Sequence, residues 1–166
     1  MFKNLFGKKD NTEKELEITS PLNGEYIQLE DIPDPVFAEK MMGEGFGVKP
    51  SDGEVVAPVS GTVMQVFPTN HAVGLRTANG LEVLIHIGLE TVAMKGEGFT
   101  GHVSEGDSVE KGDPLVTFDM ELVKSEANST ISPVIITNSD MLDEFKVEDV
   151  TNLNRADTVV VTATVK

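Results

Sequence analysis

Gly80-Leu81-Glu82-Val83-Leu84-Ile85-His86-Ile87-Gly88-Leu89-Glu90-Thr91-Val92 is the stretch on which the reading of this chain turns. Its middle, Val83 to Ile87, sets four branched apolar residues around one histidine. An apolar run this short, bounded by glycines, reads as a buried or half-buried strand. Strand alternation puts Val83, Ile85 and Ile87 on one face and Leu84, His86 and Gly88 on the other. A histidine in such a strand is most often a satisfied core residue, since a buried imidazole costs free energy unless its ring nitrogens find partners. The glycine beside it weakens that reading, because glycine exposes backbone to a close neighbour or ligand. The face carrying His86 and Gly88 is therefore a candidate floor for a shallow site.

Working outward, Asn79-Gly80 is a hairpin signal between two apolar runs, 72–77 and 81–87. Upstream, the apolar run from Val63 to Phe67 breaks at Pro68-Thr69-Asn70, and His71 follows. A tight connection from His71 to the 81–87 strand would bring two imidazoles together. His86 is the first candidate for chemistry and His71 its helper.

The rest of the chain, from Leu16 onward, is short apolar runs separated by turn residues such as Asp52-Gly53, Gly106-Asp107 and Gly112-Asp113. Strands are expected at 16–20, 24–28, 36–37, 47–50, 54–57, 61–66, 72–77, 81–87, 101–103, 114–119, 130–137 and 158–164. Helical pieces are few: 36–41 as the alternative to a strand there, 120–127 after Asp119, and 141–145 capped by Ser139 or Asp140. Many short strands with regular turns predict an all-β fold, an antiparallel sandwich or closed barrel with a few short helices.

With 166 residues the chain is long enough to bury a core as one domain. No cysteine is present, so disulfides, thiolate nucleophiles and cysteine metal sites are excluded. No apolar run approaches a membrane span and no signal-peptide pattern opens the chain, so a cytoplasmic location is expected. The formal net charge of -15, from 28 acidic against 13 basic side chains, disfavours nucleic acid and favours basic partners. Residues 1–15 differ from 16–166. Phe2, Leu5 and Phe6 share one helical face and Lys3, Lys8 and Lys9 are basic. This reads either as a frayed terminus or as a flexible, basic amphipathic segment whose residues 1–9 touch an anionic membrane weakly, at the inner face of the plasma membrane.

The run Leu84-Ile85-His86-Ile87-Gly88-Leu89-Glu90-Thr91-Val92, followed by Lys95-Gly96-Glu97-Gly98-Phe99, closely resembles the active-site signature of glucose-type enzyme IIA domains of the bacterial phosphoenolpyruvate:sugar phosphotransferase system. Thr69-Asn70-His71-Ala72 resembles that family's second histidine motif. The likeness extends through Ile18, Pro21-Leu22, Gly24, Asp34-Pro35-Val36-Phe37-Ala38-Glu39-Lys40, Ala57-Pro58-Val59, Gly61-Thr62 and Ser132-Pro133-Val134, and so covers nearly the whole chain. Ala57 to Val63 and Val103 to Leu115 also resemble the turns of biotinyl and lipoyl carrier domains, which share barrel-sandwich-hybrid features with the family.

The resemblance implies a barrel-sandwich hybrid and a phosphocarrier. His86 would take a phosphoryl group on Nε2 from the phosphocarrier protein HPr and pass it to an enzyme IIB domain of a IIB/IIC glucose-type permease. His71 would stabilise the phosphoryl group, Thr69 would orient His71, and the Gly88 carbonyl would fix the His86 tautomer. No metal or organic cofactor is needed, though zinc could be captured by His71 and His86 with help from a partner. Val36, Phe37, Met41, Met42, Phe67, Leu84 and Val92 match an apolar docking rim, and Asp34 and Glu90 its acidic positions. Transporters or metabolic enzymes regulated through the phosphorylation state are further partners in this family. Competing readings are a lysostaphin-type zinc metallopeptidase and a lipoyl- or biotinyl-like carrier. The first needs a His-x-His pair where this chain has His86-Ile87-Gly88; the second needs a lysine at a hairpin tip, which Lys95 and Lys124 only loosely echo.

Overall fold

The computed structural model describes residues 14–166. The membrane-contacting segment expected over residues 1–9 lies outside the described residues. The strands run β1 (Glu15–Thr19), β2 (Gly24–Ile27), β3 (Glu44–Pro50), β4 (Glu54–Val56), β5 (Gly61–Val66), β6 (Ala72–Arg76), β7 (Glu82–His86), β8 (Phe99–Gly101), β9 (Ser108–Val109), β10 (Pro114–Phe118), β11 (Ser132–Ile136), β12 (Leu142–Val147), β13 (Asn152–Leu153) and β14 (Val159–Val165). Among the described residues, the short α-helices α1 (Pro35–Ala38) and α2 (Met120–Glu126) interrupt them.

The strands form three antiparallel sheets. The largest has the order β13-β2-β3-β11-β7-β6-β5-β9; the others are β1-β14-β12 and β4-β10-β8. All three contribute to one apolar core: Ile18 and Val161 from one small sheet, Val55, Leu115 and Phe99 from the other, and Phe46, Leu75, Val83, Ile85 and Val134 from the large one. The antiparallel sandwich expected from the sequence is the fold found. Register explains which large-sheet residues face inward. Val83 pairs with Leu75, and Ile85 with both Val73 and Val134, so one face is continuous aliphatic surface.

The opposite face of the large sheet carries a second, smaller cluster of Leu29, Ile32, Phe37, Ala72, Leu84, Leu89 and Ile135. The turn of Leu29–Asp31 and helix α1 lie over it. Burial on both faces is why β7 and β11 read as near-continuous apolar runs.

The two carrier-like stretches turn out to be partners. Ala57 and Gly112 are bonded in one direction and Ala57 and Asp113 in the other, and Val63 bonds both Gly106 and Asp107. Each Gly-Asp turn is built alike. Glycine takes φ of +93° at Gly106 and +96° at Gly112, and each aspartate accepts a backbone N–H three residues upstream, from Ser104 and Glu110.

Two local expectations are corrected. Residues 36–37 are helical, because Asp34 accepts the Val36 N–H at 3.0 Å and Pro35 occupies the first helical turn. Residues 141–145 are not a helix. A 3-10 turn over Ser139–Met141 leads into strand β12, which pairs with β14. Leu142 and Phe145 have helical spacing, but a bulge between Leu142 and Glu144 opposes extra residues to β14 and turns both side chains toward the core. Strand β3 also starts earlier than its glycines suggest. A Cβ on Gly45 would lie 2.0 Å from the Val134 carbonyl, so glycine there permits close strand approach.

Candidate functional site

The site is made by one hairpin. β6 and β7 pair in register from Arg76 opposite Glu82 to Ala72 opposite His86. The turn closes at Thr77 to Gly80, with the Gly80 N–H on the Thr77 carbonyl at 3.0 Å and Gly80 at φ +91°. At the open end, the Ile87 N–H donates to the His71 carbonyl at 2.7 Å. His71 therefore lies alongside His86, ring centroids 5.2 Å apart at 78°. The outward face of β7 carries Leu84 and His86, as alternation predicts.

His71 is set by the turn before it. The Asn70 N–H closes onto the Phe67 carbonyl at 2.7 Å with Asn70 in the left-handed region, a conformation asparagine tolerates. The Thr69 hydroxyl is hydrogen-bonded to His71 Nδ1. Only 4% of His71 is exposed. Burial, and then the neighbouring His86, push its pKa down to about 4.

His86 is half-buried. Its Nδ1 donates to the Gly88 carbonyl at 2.8 Å. A carbonyl can only accept, so the proton of the neutral ring sits on Nδ1 and Nε2 keeps its lone pair. Burial lowers the His86 pKa below its usual value, outweighing the upward pull of the Gly88 carbonyl and the Asp34 charge. Gly88 has φ +71°, and a Cβ there would lie 2.7 Å from Thr91 Cγ2 and 3.0 Å from the Ser129 carbonyl. Glycine is thus required both by conformation and by space.

Aromatic rings flank the pair. Phe37 stands 5.3 Å from the His86 ring and Phe67 5.3 Å from the His71 ring, centroid to centroid. The remaining rim positions divide. Val36, Met41, Met42 and Val92 are exposed, Val92 to 57%. Leu84 is buried, and with Met42, Met64 and Phe67 it lines a groove of about 160 Å³. Asp34 has a local task as the N-cap of α1. Glu90 is exposed, at φ +65°, before the 3-10 turn Thr91–Met94. His102 is an exposed surface histidine, its Nε2 3.1 Å from the Thr117 hydroxyl.

Among the described residues no group of three or more His, Cys, Asp or Glu is placed to hold a metal. Two imidazoles would need further ligands from elsewhere. Met64 and Gly74, which open the groove beside Leu84, were not among the rim candidates; no pattern in the sequence sets them apart from ordinary strand residues.

The family model described as phosphoenolpyruvate-dependent sugar phosphotransferase system, EIIA 1, matches residues 16–142, and the chain belongs to that family. It is accordingly a phosphotransferase component. A Staphylococcus epidermidis protein named PTS system glucose-specific EIIA component is 54% identical over 165 residues, covering 99% of each chain. One of the same name from Halalkalibacterium halodurans is 56% identical over 172 residues, covering 100% of this chain and 99% of its own. The solved glucose permease IIA from Mycoplasma capricolum superposes with a TM-score of 0.83 at 38% identity, covering 90% of this chain and 96% of that one. The peptidase and carrier readings find no support. Gly88 replaces the second zinc histidine, and Lys124 lies in α2 while Lys95 ends a 3-10 turn. Among the described residues, no helix is long and apolar enough to cross a membrane.

Proposed function

We propose that His86 accepts a phosphoryl group on Nε2 from phospho-HPr and passes it to the IIB domain of a glucose-type permease. The carrying observation is the hydrogen bond from His86 Nδ1 to the Gly88 carbonyl at 2.8 Å. It leaves Nε2 as the free nucleophile on a ring that burial keeps neutral. The His86 lone pair forms the new N–P bond as the bond from phosphorus to the donor breaks, and the donor leaves with that electron pair. Onward transfer reverses the roles. A Thr69 hydroxyl that donates to Nδ1 of neutral His71 leaves the His71 proton on Nε2, where it can bond phosphoryl oxygens. Positioning and charge compensation supply the catalysis.

The apolar rim serves docking. Phe37 and Phe67 are the anchors, with Val36, Met41, Met42, Leu84 and Val92 around them, and Asp34 and Glu90 meet basic partner residues. Phosphate on His86 adds charge to this patch, which is a physical basis for regulating transporters or enzymes by phosphorylation state. Glucose as the sugar follows from the names of the relatives. The protein acts in the cytoplasm, with residues 1–9 as a weak membrane contact.

The test is incubation with phosphoenolpyruvate, enzyme I and HPr, followed by intact mass at alkaline and acid pH. One alkali-stable, acid-labile phosphate is expected on the wild type and none on His86→Ala. His71→Ala should accept phosphate but pass it on poorly. A wild type that stays unmodified with active upstream proteins would sink the proposal.

A further inference from the structure

The peptide unit joining Ile87 to Gly88 is held at both of its polar atoms by buried hydroxyls. Its carbonyl accepts from Thr91 Oγ1 at 2.6 Å, and its N–H donates to Ser132 Oγ at 3.1 Å. Thr91 and Ser132 are each 0% exposed. The directions are determined. The single Thr91 proton is committed to the Ile87 carbonyl, and the Ser132 proton to the Thr130 carbonyl at 2.9 Å, leaving Ser132 only a lone pair for Gly88.

The clamp ends at the Gly88 nitrogen, two bonds from the carbonyl carbon of the proposed acceptor. Rotation about the Gly88 backbone carries its own carbonyl toward or away from His86 Nδ1. Glycine is needed there for φ +71°, yet glycine is the residue least able to hold a conformation by itself. The Thr91 and Ser132 hydroxyls remove that freedom on the upstream side. On the downstream side, the Leu89 N–H bonds the Ser129 carbonyl at 2.9 Å and the Asn128 N–H bonds the Leu89 carbonyl at 3.1 Å. The two clamping residues come from different elements. Thr91 opens the 3-10 turn after β7, and Ser132 opens β11.

We propose that Thr91 and Ser132 are positioning residues for phosphoryl transfer: they lock the Ile87–Gly88 peptide so that the Gly88 carbonyl stays aimed at His86 Nδ1 and the lone pair stays on Nε2. This rests on the reading of His86 as phosphoryl acceptor. An imidazole released from that carbonyl also populates the Nε2–H tautomer, which has no lone pair at the transfer position.

The experiment uses the full chain with ¹⁵N-labelled histidine, as wild type, Thr91→Val, Ser132→Ala and Thr91→Ser. Long-range ¹H–¹⁵N correlation at pH 8 reads the His86 tautomer, and rapid-quench phosphorylation by phospho-HPr reads the acceptance rate. The wild type should show the Nδ1–H form alone. Thr91→Val and Ser132→Ala should show mixed tautomers and a rate constant lower by about tenfold, with donor half-saturation unchanged. Thr91→Ser, which keeps the hydroxyl, should restore both. If one variant does not fold, the other carries the test. A single Nδ1–H tautomer in the folded variants overturns the proposal, whether or not the rate falls, because the hydroxyls then only satisfy buried backbone. If the wild type takes no phosphate, the transfer role falls with the His86 reading. The tautomer shift then still reports on the clamp separately.

Discussion

Burial favours the neutral form of both His86 and His71, and their hydrogen-bond partners differ. Burial lowers both pKa values, to about 4 at His71. Below the ordinary value of 6.5 an unfolded histidine takes up a proton that buried His71 refuses until about pH 4. The unfolded state therefore binds more protons in that window, and stability contributed by neutral His71 is lost as pH falls from 6.5 toward 4. His71→Gln should flatten that part of the stability curve, measured by urea unfolding. If His86 is the acceptor, phosphate acceptance should fall as pH falls, with its midpoint below 6.5, where the ring becomes protonated. An inflection above pH 6.5 in the rapid-quench rate would contradict the burial argument.

At the scale of elements, the hairpin β6–β7 brings the histidines together, and α2 supports the loop beyond it. Val123 of α2 is fully buried, and its Cγ1 would lie 3.6 Å from a Cβ on Gly88. Asp119 caps this seven-residue helix by accepting the Leu122 N–H at 3.2 Å. So short a helix depends on its cap and its packing. Asp119→Ala should cost about 1 kcal/mol in urea unfolding. The elements also show where local pattern misleads. Helix α2 was legible over 120–127 after Asp119, one residue longer than the Met120–Glu126 found. β12 was not, because its bulge restores to a strand the three-residue spacing of a helix. β9 and β13 are two-residue strands made by pairing with β5 and β2, too short to leave a periodic signal.

The whole molecule is strongly acidic, with a net charge of -15. The proposed docking rim would then sit in a negative field, which favours basic partners over long range. Raising ionic strength from about 0.01 to about 0.15 M shortens the screening length from roughly 30 to roughly 8 Å. The second-order rate of phosphorylation by HPr should fall by roughly tenfold over that range, and the first-order step within the complex should hardly change. Salt titration in a stopped-flow assay checks this. An unchanged second-order rate would leave the charge as a solubility feature only.

The sequence alone determined the antiparallel β class, the 81–87 strand with His86 on its less apolar side, the Asn79-Gly80 hairpin, and the nearness of His71. These follow from short-range rules: alternation along a strand and the backbone demands of turn residues. Only the tertiary structure decided what surrounds the imidazoles. Phe37 reaches His86 from a helix nearly fifty residues upstream. Ser132 reaches the Gly88 N–H across 44 residues. Such contacts depend on which strands become neighbours in the large sheet. That is settled by the joint burial of both its faces, and no local pattern of residues encodes it.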